Sequence, residues 1–186
     1  MIRVHKGLFV SIIAAATTVS SAPAAFGSSV AAFVEIKGQK QGQFRGESLQ
    51  SSRAAKWMDV LSFKESVSVP VDLASGQATG RRKHDQVCFT KHWGAASPQI
   101  FNAVVTNEVL PEVQFEFTKP EANGQGNPFE TVKLVNAVIT QDRQQLGVEG
   151  EAPGHTTEYF EEVCFTYQKI EITNGDAHTT SQDSWM

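Results

Sequence analysis

Cysteine is nearly absent from this chain: Cys88 and Cys164 are the only two in 186 residues. A chain of this length makes one ordinary domain and buries enough apolar surface to be stable without covalent staples, so neither a disulfide nor a metal is required. An excess of positive charge is also lacking. Lys and Arg number 16 against 20 Asp and Glu, a formal net charge of −4, which argues against a nucleic-acid phosphate backbone as partner. The one basic cluster, Gly80-Arg81-Arg82-Lys83-His84, sits among Gly and polar residues and reads as a solvated loop. Long apolar runs are missing too. The longest, at 8–19, falls well short of the ~20 residues a spanning helix needs, so no membrane insertion of the mature chain is expected.

The motifs of catalysis are missing as well. There is no G-x-S-x-G, no P-loop and no G-x-G-x-x-G; Asn123-Gly124-Gln125-Gly126-Asn127 lacks the third glycine and the following helix of a dinucleotide-binding turn. His84, His92, His155 and His178 have no carboxylate or cysteine pattern that completes a three- or four-ligand metal set, although His84 and His92 flank one strand at even spacing. Glu161 and Glu162 are adjacent on a strand, point to opposite faces and read as solvated charges on a sheet. No catalytic residue, cofactor or metal is assigned on these grounds.

The amino terminus has the order of a cleavable secretory leader. Arg3 and Lys6 precede the apolar run at 8–19, and Ala22-Pro23-Ala24 supplies an A-x-A site, so residues 1–24 are expected to be removed, leaving 25–186 as the domain. The mature chain would carry 14 basic against 20 acidic residues, a net −6. A start codon placed too early on a cytoplasmic protein is the alternative.

The body reads as mostly β. Val113, Phe115 and Phe117 alternate with polar residues, and similar β-rich runs lie at 31–36, 56–69, 86–91, 129–140 and 158–172, six extended segments in all. One helix is expected at about 97–110, capped by the Ser97 hydroxyl, with Pro98 at its start, an apolar stripe of Ile100, Phe101, Val104 and Val105, and Pro111 as its limit. Loops rich in Gly and small polar residues lie at 72–80, 121–127 and 147–157. The polar tail ends on Trp185 and Met186, an arrangement that suits a docked end or a frayed one.

The string GQATGRRKHDQVCFTKHWGAASPQIFNAVVTNEVLPEVQFEF, followed by FETVKLVNAVIT and EEVCFTYQKIEI…HTTSQDSW, closely resembles the Hcp family, the tube proteins of the bacterial type VI secretion system. The opening segment FVEIKGQKQGQFRGES…WMDVLSF fits too, so the resemblance runs from about Ala32 to Trp185. It implies a compact β-barrel of two sheets with one helix at its side. It also implies a non-enzymatic protein that forms homohexameric rings stacked into a tube, with spike, sheath and effector proteins as partners and effectors carried in the channel.

A ring requires a heterologous interface, in which one edge of each subunit meets a different edge of the next. The polar stretch at 38–55 is the longest candidate, and Gln43, Arg45 and Glu47 are the expected interface residues; a solvent-facing disordered loop is the competing reading. The leader departs from the family pattern, because members assemble in the cytoplasm. An exported Hcp-like barrel that binds a ligand in the periplasm or outside the cell, and builds no tube, is the alternative.

The tetrapeptide Val-Cys-Phe-Thr occurs twice, at 87–90 and 163–166, in otherwise different surroundings, so it reflects two similarly patterned strands rather than a repeat. On each, Val and Phe share one face and Cys and Thr the other. In an oxidising compartment, Cys88 and Cys164 would bond if their Cα atoms lie within ~7 Å, contributing about 2–4 kcal/mol. In the cytoplasm they would stay reduced as two small buried hydrophobes.

Overall fold

The computed structural model describes residues 30–119, 128–147 and 159–185. The expected leader at 1–24, the loop at 121–127 and most of the loop at 147–157 lie outside the described residues.

Among the described residues, twelve strands and one helix follow in chain order: β1 Ala31–Gly38, β2 Gly42–Gln43, β3 Met58–Val60, β4 Ser62–Lys64, β5 Val67–Ser68, β6 Lys83–His84, β7 Val87–His92, α1 Ser97–Val105, β8 Leu110–Thr118, β9 Pro128–Leu146, β10 Tyr159–Thr166, β11 Lys169–Asn174 and β12 Thr179–Ser184. All the named pairings are antiparallel, and the main ladder runs β2-β1-β8-β9-β10-β7-β4. β9 is long enough to belong to two sheets. Its first half lies between β8 and β11, with β12 beyond, and its second half pairs with β10.

The bend has a local cause. Asn136 takes a positive φ of 49°, a conformation that Asn tolerates better than most side chains, and its amide donates to the Gln168 side chain at 3.0 Å. Gln168 separates β10 from β11, and its own amide reaches the Val135 carbonyl at 3.1 Å. The paired strands therefore turn together, and the single extended run expected at 158–172 becomes two strands, one in each sheet.

The two inner faces meet in an aromatic core. Phe89 stacks on Phe165 at 5.8 Å, Phe115 sits edge-on to both, and Val34, Ile36, Val113, Val132, Leu134 and Val163 fill the space around them. Each fully buried Phe or branched side chain contributes roughly 1.5–3 kcal/mol. Ile100 and Ala103 of α1 close one flank of this core.

Four expectations need correction. The two sheets do not close into a barrel: among the described residues no ladder joins β4 or β12 to the far end of the sheet, and the chain itself crosses between sheets at Leu61, between β3 and β4. The extended run at 56–69 is correspondingly three short strands. The helix ends at Val105 rather than 110, because Asn107 adopts a positive φ of 48° and Glu108 N–H reaches back to the Ala103 carbonyl, closing a Schellman turn. Leu110 already belongs to β8. Finally, Ser97 does not cap the helix, and Phe101 and Val105 of the expected stripe are 57% and 58% exposed.

The tail is docked as β12, a strand whose polar sequence suits an exposed edge. Arg82 and His84 of the basic cluster both bind Asp183, Tyr167 hydroxyl meets His84 Nδ1 at 3.1 Å, and the Trp185 ring lies 5.3 Å from the His84 ring. The cluster is therefore only partly a solvated loop. Arg82, then His84, hold the Asp183 carboxyl well below the usual carboxylate range, while burial pushes the Tyr167 phenol up to about 12. Because the folded state lowers the Asp183 pKa, its contribution is present above about pH 4 and lost as pH falls below it. At neutral pH, Asp183→Asn is expected to red-shift Trp185 emission and open the tail to limited proteolysis. The wild type should show the same changes only in acid.

Candidate functional site

Alternation along β7 and β10 places more than hydrophobes inside. Register sets Phe165 opposite Val87, Val163 opposite Phe89 and Glu161 opposite Lys91, so a cation and an anion end the two inward rows. Lys91 is 1% exposed and Glu161 is fully buried, which overturns the reading of Glu161 as a solvated charge. Lys91 Nζ donates to Glu47 Oε1 at 2.6 Å, the His92 carbonyl at 2.7 Å and Ser97 Oγ at 3.2 Å, and lies 3.0 Å from Glu161 Oε2. Ser97 Oγ donates to Glu161 at 2.6 Å and accepts from the Gly94 amide at 3.0 Å. A Cβ at Gly94 would overlap the Glu47 carboxylate and push it from its place beside Lys91.

The cluster resembles a Ser-Lys pair in composition but not in disposition. Ser97 and Lys91 are buried, the hydroxyl hydrogen is committed to Glu161, and the ammonium is saturated by acceptors. Its work is mechanical: it joins the loop after β2, two core strands and the start of α1. Asp142 lies beside Glu161; burial first, then the Glu161 charge, push its carboxyl up to about 6 against the pull of Lys91. Asp142 Oδ1 is buried with no partner.

Three further latches hold the stretch at 38–57 against the body. Glu108, buried at the end of the helix turn, accepts from the Lys40 and Gln41 amides at 2.6 and 2.8 Å and from the Gln41 side chain at 2.8 Å. Burial acts to raise its pKa, but these hydrogen bonds outweigh it and the carboxyl is lowered. Asp59 accepts from the Ser48 hydroxyl at 2.6 Å and the Leu49 amide at 2.9 Å. Arg53 pairs with Glu116 at 2.6 Å and lies over the Phe33 ring at 4.5 Å. The stretch is ordered and pinned along its length, with Leu49 standing out at its tip, 95% exposed.

Of the expected interface residues, Gln43 binds the Ile36 and Phe44 carbonyls and Glu47 belongs to the Lys91 clasp, whereas the Arg45 side chain faces outward and its amide donates to Gln99 Oε1 at 2.8 Å. The outward apolar surface lies elsewhere. Phe101 and Val105, one helical turn apart, form one patch, and Val67, Val69, Val71 and Leu73 line a ribbon between β4 and β7 that is paired through β5 and β6 and through a Val71–Ala78 bridge. Period-2 spacing could have flagged the second patch, but exposure is a property of the fold. Cys88 and Cys164 face each other across β7 and β10 with Cα atoms 4.1 Å apart and sulfurs at bonding distance, on neighbouring rather than distant strands. Among the described residues, no three His, Cys, Asp or Glu side chains converge as a metal site. His84 and His92 sit in separate clusters.

The charged groups thus hold loops in place, and the surfaces left unsatisfied are apolar: this is the construction of a structural β protein built around assembly. A model of the family described as "Type VI secretion system effector, Hcp" matches residues 33–173. The chain belongs to the Hcp family, the tube proteins of type VI secretion. It is 30% identical over 164 residues to the "Major exported protein" of Pseudomonas aeruginosa, a match covering 83% of this chain and 94% of that one. Among solved structures, "Crystal structure of Hcp protein" superposes with a TM-score of 0.74 at 26% identity, covering 85% of this chain and 99% of the other. A variant of the Hcp1 protein from E. coli EAEC 042 gives a TM-score of 0.72 at 23% identity, with 85% and 100% coverage, a likeness of fold.

Lys91→Ala leaves Glu161 buried and uncompensated and is expected to cost about 3–5 kcal/mol in urea unfolding, whereas Lys91→Met combined with Glu161→Met should recover much of that loss. Asp142 behaves in the opposite sense to Asp183. Its raised pKa means that the stability it contributes is present below about pH 4 and lost as pH rises through about 6. Asp142→Asn should therefore raise the melting temperature at pH 8 by a few degrees, about 1 kcal/mol after allowance for solvent screening, with the gain vanishing near pH 4.

Proposed function

We propose that this chain acts without catalysis as a subunit that closes into a six-membered ring and stacks into a tube, and that the channel carries passenger proteins. The observation that carries this reading is the family match over residues 33–173, joined to the two exposed apolar patches that the monomer leaves uncovered. The helix patch of Phe101 and Val105 and the ribbon lined by Val67 to Leu73 sit on different parts of the chain, as a heterologous contact requires. Arg45 faces outward beside Gln99 and extends the contact, with Gln43 and Glu47 setting the shape of its loop. Spike and sheath proteins are the further partners of such a tube.

Mature chain 25–186 should run as six copies in native mass spectrometry and as rings by negative-stain microscopy. Phe101→Glu with Val105→Glu should reduce it to monomers with an unchanged melting temperature. A monomer at every wild-type concentration would remove the ring reading.

A second reading is favoured by the basic-apolar-small order of residues 1–24 and by the opposed cysteines. In it the leader is cleaved after Ala24, Cys88 and Cys164 bond on export, and the protein works outside the inner membrane as a binding module. The bond would close a separation of 76 residues and stabilise by about 4 kcal/mol in the chain-entropy picture. Fractionated cells should then yield a periplasmic chain starting at Ala25, lighter by two hydrogens before reduction. An unprocessed, reduced cytoplasmic chain returns the protein to assembly inside the cell.

A further inference from the structure

Beside the Lys91 clasp, but open to solvent, lies a pocket of about 420 Å³ bounded by Glu47, Leu49, Asp59, the turn from His92 to Ala95, and Tyr159. Its wall is aromatic. The Tyr159 ring lies 5.6 Å from His92 and 6.0 Å from Trp93. The rings are set in place by the backbone: Trp93 Nε1 donates to the Phe160 carbonyl at 2.8 Å, and His92 Nδ1 lies 3.2 Å from the Tyr159 carbonyl.

Two carboxylates, Glu47 and Asp59, line the same pocket. Asp59 is oriented by two neutral donors, the Ser48 hydroxyl and the Leu49 amide, and among the described residues no cation lies within ion-pair reach of it. Glu47 has Lys91, but that ammonium is buried behind the pocket and shared with Glu161. Aromatic rings and carboxylates lining one pocket attract the same kind of group, a cation with an apolar stem, through the ring quadrupole and through charge.

We propose that this pocket binds a lysine or arginine side chain presented by a partner polypeptide. Leu49 and Tyr159 also line the pocket and are 95% and 46% exposed, an apolar surface on which residues flanking a basic side chain would rest. The charge pattern excludes an acidic occupant, since two carboxylates would face it. This proposal goes beyond assembly of the ring and does not depend on it: the pocket is built by one chain, from Glu47 through Tyr159, and neither the Phe101–Val105 patch nor the Val67–Leu73 ribbon contributes to it.

The test uses the protein as purified, in whatever assembly state it adopts, and a fluorescein-labelled acetyl-Leu-Arg-Leu-amide followed by anisotropy. Saturable binding is expected, weakened about tenfold when citrulline replaces arginine, since shape is kept and charge removed. Added salt should weaken it further. Asp59→Asn should lower the affinity; because Asp59 also holds Ser48 and Leu49, Leu49→Ser and Tyr159→Ser, on exposed side chains, provide the second arm and should each weaken the peptide with unchanged melting. Equal binding of the citrulline peptide would overturn the proposal, as would full binding by the three variants or an absence of binding. Free arginine amide binding as tightly as the peptide would assign a small-cation site instead. Affinity that falls as protein concentration rises would assign the pocket to a second copy of this chain, again against the proposal.

Discussion

One buried cation holds this molecule in its shape. Lys91 stands at the end of an inward row of side chains in the core, where an isolated ammonium would be very costly, and is kept there by Glu161 on the neighbouring strand and Glu47 on a loop remote in sequence. Apolar packing could join β7 to β10 without it. What the charges add is a fixed destination for the stretch at 38–57, because a carboxylate at Glu47 is the third member that the Lys91-Glu161 pair accepts in that place. Gly94 lacks a side chain so that this carboxylate can enter, and Ser97 gives up helix capping to complete the set.

The same device recurs at the edges of the fold. Glu108 fills the turn between β1 and β2, Asp59 holds the loop at Ser48 and Leu49, and Asp183 ties the last strand to Arg82 and His84. Two open-ended sheets need such ties, since among the described residues no closing ladder constrains β4 or β12. The consequence for function is a rigid body: loops that would otherwise move are fastened, and apolar side chains on α1 and on the ribbon between β4 and β7 are displayed from fixed positions. A subunit that must meet identical copies many times benefits from that rigidity, because contacts made by pre-ordered surfaces cost less entropy to form.

Much of this was legible in the residues. The alternation of Val113, Phe115 and Phe117 marks β8, and the two faces are as expected through Glu116; at the irregularity between Phe117 and Thr118 the order changes, leaving Phe117 half-buried and Thr118 buried. The same rule, applied one step further, reaches the clasp: Val87 and Phe89 point inward, so Lys91 does too, and Val163 and Phe165 carry Glu161 with them. Reading Glu161 as solvated gave charge priority over parity. The helix boundary was misjudged for a different reason. Pro111 is an obvious stop, but the actual stop is Asn107, and an asparagine entering the left-handed region is one of many that do not. β12 escaped notice because an exposed edge strand has no apolar alternation to show.

By itself the sequence determined what local chemistry and pattern control: a mostly β chain, one helix beginning at Ser97-Pro98, family membership through the order of its motifs, and two cysteines on similarly patterned strands. Only the tertiary structure decided which residues meet. Antiparallel register brought Cys88 opposite Cys164 and Lys91 opposite Glu161, pairs 76 and 70 positions apart in sequence, and folding of the 38–57 stretch delivered Glu47 to the charged pair. Pairings of that kind arise from the sum of many weak contacts along both strands. No single residue announces its distant partner, so the clasp, the exposed patches and the aromatic pocket exist only once the sheets have closed on their shared core.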